Sequence, residues 1–87
     1  MASQELIQFK HEIMKKIRDE YSLRLENQVE RCKQFYNVKE EVGPMLHSSY
    51  DIIIDDIMNG GDKDEAIEKW FSMMDEFFDD YEKKRGE

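Results

Sequence analysis

Chemistry in this 87-residue chain would have to begin with His47, Asp51 and Asp55, which stand four residues apart and so share one side of any helix. An imidazole and two carboxylates are metal-ligand types, but a single helix edge offers fewer donors than a bound cation needs. The stretch DDIMNGGDKDE that begins at Asp55 invites a calcium-loop reading, with Asn59 at position five and Gly60 as the turn glycine. Ile57 would then stand at position three and Ala66 at position twelve, and neither can supply the required oxygen. Cys32 is the sole thiol and falls on an apolar stripe, where a small buried hydrophobe is expected rather than a nucleophile or a dimer link. His11 lies among Lys10 and Lys15 and is expected to be solvated. No glycine-rich phosphate loop, zinc spacing or Ser-His-Asp set can be argued, and no cofactor or metal is expected.

Two further carboxylate pairs, Glu65 with Glu68 and Glu76 with Asp79, superficially resemble the ExxE and ExxD halves of the all-α, magnesium-dependent nucleotide pyrophosphatases of the MazG type. That resemblance implies two helices converging on one ion. Here both pairs belong to a single predicted helix, and a rigid rod cannot fold its own carboxylates around a metal. The chain is therefore expected not to be an enzyme.

What remains is charge. The stretch DEFFDDYE, Asp75 to Glu82, sets five carboxylates around three aromatic rings. Residues 1–40 carry eight Lys or Arg and seven Asp or Glu, a balance of +1, whereas residues 41–87 carry five against fourteen, a balance of −9. Three acids have a cation at i, i+4, namely Glu65 with Lys69, Asp79 with Lys83 and Asp80 with Lys84, and such pairs contribute a few tenths of a kcal/mol each. Glu68, Asp75, Glu76 and Glu82 have no such local cation, and Asp51, Asp55 and Asp56 add the same sign. Solvation alone would account for a polar back to an amphipathic helix. A ridge of carboxylates one helical turn apart would also suit a cationic cleft, including one that ordinarily accepts nucleic-acid phosphates. The expected function is a small acidic regulator or inhibitor that binds a basic protein through Asp51, Asp55, Asp56, Glu68, Asp75, Glu76, Asp79 and Glu82. Its size would suit a phage protein. The cations of residues 1–40 are interleaved with acids, so direct binding of nucleic acid is not expected.

These residues must be positioned by helices. Residues 4–41 contain neither Gly nor Pro, Ser3 is a plausible N-cap, and Leu6, Phe9, Ile13, Ile17, Tyr21, Leu25, Val29, Cys32 and Tyr36 recur every three or four residues. One long helix over 4–41 is the favoured reading, with a break near Tyr21-Ser22 or Asn37 as the alternative. Gly43-Pro44 is expected to end it, and a second helix over 44–58 carries Leu46, Tyr50, Ile53, Ile54 and Ile57 on one side. NGG makes the next turn, and Asp62 with Glu65 has capping-box spacing at the start of a third helix over 63–85, which Gly86 can end. On that third helix Ala66, Ile67, Trp70, Phe71, Met73, Met74, Phe77, Phe78 and Tyr81 cover nearly half the circumference.

Ten aromatic residues, six methionines and only five glycines and prolines describe a folded chain with long elements and few turns. No apolar run approaches the roughly 18 residues that span a bilayer, and a cytoplasmic, reducing setting is expected. The predicted fold is a single all-α domain over 1–87, a long N-terminal helix packed on a C-terminal helical hairpin in a three-helix bundle-like arrangement. Trp70, Phe71, Met74, Phe77, Phe78, Ile53, Ile57, Ile13, Ile17 and Leu25 should form its core. The uncovered part of the first helix could serve a homodimer. An alternative function is a structural or adaptor subunit that associates through the aromatic and methionine face of the third helix, at Trp70, Phe71, Met73 and Met74.

Overall fold

A computed structural model describes residues 2–85, with side chains from Gln4 to Lys84. The described residues are all-α and contain no strand. Helices α1 (Ala2–Glu20), α2 (Ser22–Gln34), α3 (Lys39–Met58) and α4 (Lys63–Arg85) follow in order, with a short 3-10 turn over Tyr36–Val38 between α2 and α3.

The N-terminal apolar stripe does not lie on one rod, and both alternative breaks occur. At Tyr21 the backbone leaves helical angles, with φ −125° and ψ 31°. The ladder survives on either side, because the Tyr21 N–H donates to the Ile17 carbonyl at 2.8 Å and the Leu25 N–H to the Tyr21 carbonyl at 2.9 Å. The stripe drifts around a straight helix, and the kink lets its two halves face different neighbours. The second break, at Phe35 to Val38, tightens the chain and changes its phase. Phe35 is thereby buried and stacks on Phe78 with ring centroids 5.0 Å apart, while Tyr36, expected on the apolar stripe, is exposed.

Gly43-Pro44, expected to end the first helix, lies inside α3 instead. Pro44 has no N–H to donate to the Glu40 carbonyl and its ring crowds that carbonyl, but Glu40 is only the second residue of α3, where no earlier turn is disturbed. Gly43 does not take a left-handed angle. The α1 start at Ala2 lies before the Ser3 cap expected from sequence; the side chain of Ser3 and the whole of Gly86 lie outside the described residues.

The turn from α3 to α4 follows from its glycines. Gly60 has φ +99°, its N–H donates to the Ile57 carbonyl at 3.0 Å, and the Gly61 N–H reaches back to the Asp56 carbonyl at 2.9 Å. These are the two bonds of a Schellman motif, which satisfies the last carbonyls of α3. A Cβ on Gly61 would stand 2.8 Å from the Asp56 carbonyl oxygen, so only glycine fits. Asp62 caps α4, accepting the Glu65 N–H on Oδ2 at 2.9 Å.

The core joins Ile13 and Ile17 of α1, Phe35, Val42, Ile53, Ile54 and Ile57, and Ala66, Ile67, Trp70, Phe71, Met74 and Phe78 of α4. Burial of each Ile, Phe or Met side chain stabilises by about 1.5–3 kcal/mol. Two expected core residues, Leu25 and Phe77, are only partly buried. Polar links fix the register: the Trp70 Nε1–H donates to Ser49 Oγ at 3.0 Å, and the Tyr50 hydroxyl donates to the Lys10 carbonyl at 2.6 Å.

Candidate protein-binding surface

On α4 a turn of about 100° per residue places Asp64, Glu68, Asp75, Asp79 and Glu82 within one strip about 60° wide. This strip is the coherent part of the acidic ridge, and it faces the protein's own cations. Lys16 Nζ lies 3.5 Å from Asp64, which also accepts the Tyr21 hydroxyl at 2.7 Å. Arg24 pairs with Glu68, and Gln28 Nε2 donates to Asp75 at 2.6 Å. Arg31 serves three carboxylates, at 3.4 Å from Asp75, 2.9 Å from Asp79 and 3.2 Å from Glu82. Residue numbers rise together on the two sides, so α2 and α4 run parallel and are joined by a ladder of ion pairs.

The arginines also cover the core. The Arg24 guanidinium lies 4.5 Å from the Phe71 ring centre and that of Arg31 5.2 Å from Phe78. Stacking on an aromatic face keeps the planar fork oriented toward its carboxylates. Gln28 is buried between them.

This arrangement corrects part of the sequence reading. Glu68, Asp75 and Glu82, expected to lack a cation, receive one from α2 across more than forty residues of chain. Asp79 turns to Arg31 rather than to Lys83, and among the described residues no ion pair forms between Glu65 and Lys69 or between Asp80 and Lys84. Asp51 is 2.8 Å from Lys10. Of the eight carboxylates expected to meet a partner, five are thus engaged within the fold. Asp55, Asp56 and Glu76 are exposed, and their carboxylates form no ion pair among the described residues. The cationic side of the ladder was the missing part of the sequence reading. Arg24, Gln28 and Arg31 at i, i+4 and i+7 were its signal, a polar strip beside the apolar stripe whose spacing recurs in Asp75, Asp79 and Glu82.

The aromatic and methionine face of α4 is core. Trp70, Phe71 and Met74 are at most 5% exposed, and Met73 is only partly buried. Apolar surface is exposed elsewhere, in two open grooves. One, of about 350 Å³, lies between the start of α1 and the end of α3 and is lined by Leu6, Ile52 and Met58 with Lys10, Asp51 and Asp55 at its edge. The other, of about 320 Å³, lies between α2 and the start of α3. Cys32 lines this second groove, and burial pushes its thiol up.

His47, Asp51 and Asp55 do not gather: among the described residues no group of three or more His, Cys, Asp or Glu could hold a metal ion. No described helix is long and apolar enough to cross a membrane. Comparison with known proteins finds no matching family model, no similar curated protein and no similar solved structure.

Proposed function

We propose that this chain is a small non-enzymatic regulator or inhibitor that binds a protein with a basic surface, of the kind that also accepts nucleic-acid phosphates. The carboxylates that meet the partner are those left over by the ladder, chiefly Asp55 and Asp56 at the end of α3, with Glu76 on the outer side of α4. The observation that carries this reading is the placement of Asp55 and Asp56. Both stand at the negative end of the α3 macrodipole, where the last turn contains no basic residue. Such an arrangement destabilises a helix end by about 0.3–1 kcal/mol per charge, and a cation brought by a partner relieves it. Alongside lie Ile52 and Met58, 50% and 58% exposed. A segment presenting Lys or Arg next to apolar side chains would find both kinds of complement there.

Affinity capture with the intact chain tests the reading. A partner should be retained at low salt and released as ionic strength rises, and the triple variant Asp55→Asn, Asp56→Asn, Glu76→Gln should lose it. A partner held equally by the triple variant and indifferent to salt would point to apolar association instead.

A further inference from the structure

We propose that two copies of this chain pair through the groove between α2 and the start of α3, with their α2 helices antiparallel across a twofold axis near Cys32. Three features of that groove point to a second copy rather than to an unrelated segment.

The first is its apolar surface. Val29 is 46% and Tyr36 67% exposed, and they flank the half-buried Cys32 and Leu46. Side chains of this size left in water at one site mark an interaction surface.

The second is Gly43, which lines the groove inside α3. Glycine within a helix is less stable than alanine by about 1 kcal/mol. Nothing in the fold demands it here, since Gly43 has no positive φ and an added Cβ would meet no atom within 4 Å. Its absence of a side chain leaves helix backbone open to close approach from outside.

The third is the charge order along α2. Glu26 and Glu30 edge its earlier half, and Lys33 and Lys39 edge the groove beyond Cys32. An antiparallel copy sets the Glu30 of each chain beside the partner's Lys33 and sets Glu26 toward the partner's Lys39. A parallel copy would oppose like charges. The bond that Lys33 now makes to Glu30 at 3.2 Å joins two side chains that are 69% and 68% exposed, so it is worth little and exchanges readily. Each copy carries −8, and this repulsion opposes unspecific self-association, so local complementarity must select the pairing.

Sedimentation equilibrium of the full chain at moderate salt tests the proposal. The wild type should form dimers that dissociate on dilution. An acidic variant, Lys33→Glu with Lys39→Glu, and a basic variant, Glu26→Lys with Glu30→Lys, should each self-associate at least about tenfold more weakly. Mixed in equal amounts, they should restore a heterodimer. Gly43→Leu should block pairing while its thermal melt, followed by circular dichroism, stays at or above that of the wild type. A wild type that remains monomeric up to high micromolar concentration would overturn the proposal. So would a dimer that persists unchanged in both charge-reversed variants and in Gly43→Leu.

Discussion

Tyr21 stands at the kink between α1 and α2 and donates its phenolic proton to Asp64, a carboxylate that also faces Lys16. Ionisation would set a phenolate against that carboxylate, so the hydrogen bond, then burial, pushes the Tyr21 hydroxyl from 10.0 up to about 12. The same bond, with Lys16 beyond it, holds the Asp64 carboxyl below its usual value. Tyr50 is also pushed up to about 12, here mainly by burial. In the unfolded chain both phenols would ionise near 10. Their stabilisation is therefore complete below about pH 10 and is lost as the pH rises through about 12. A spectrophotometric titration is expected to show a late tyrosine step, and Asp64→Asn should bring one tyrosine of that step down toward 10. A late step of unchanged size in the variant would mean that the Tyr21–Asp64 bond does not form in solution.

At the scale of the element, Arg31 is the joint between α2 and α4. It is three-quarters buried, lies over Phe78 and offers one guanidinium to three carboxylates. Arg31→Ala is expected to destabilise by about 1–3 kcal/mol in urea denaturation, more than a lone surface pair, because it leaves Asp75, Asp79 and Glu82 facing one another. Raising the salt should narrow the gap to the wild type, and a gap independent of salt would assign the loss to packing over Phe78 instead. How legible these elements were depends on where their signals lay. The length, cap and apolar arc of α4 were plain, because Asp62 starts it and Trp70, Phe71, Met74 and Phe78 repeat with helical spacing. The break at Phe35 was obscure, since neither Gly nor Pro marks it and only weak helix formers, Phe35 to Val38, stand there. Gly43-Pro44 gave the opposite error, a strong local stop signal that a proline early in a helix does not enforce. The acidic strip was visible as charge and its cationic side as the spacing of Arg24, Gln28 and Arg31, but their meeting was not, because ion pairing between α2 and α4 depends on a parallel alignment that no local pattern encodes.

Across the whole molecule, contacts divide into near and far. The α3–α4 hairpin closes through the short turn at residues 59–62, whereas the ladder bonds from Tyr21, Arg24, Gln28 and Arg31 to α4 join residues 43 to 51 apart in the sequence. Closing the longer loop is entropically harder, so the hairpin should assemble first and the N-terminal arm dock upon it late. Stopped-flow measurements on Arg31→Ala should then show faster unfolding with nearly unchanged refolding, while Ile53→Val should slow refolding. The reverse pattern would place the ladder in the folding nucleus. If the arm docks last, it also leaves first. A protease present during brief openings should nick the chain around Tyr36 to Val38, and the fragment that outlives the cut should be the glycine-turned hairpin.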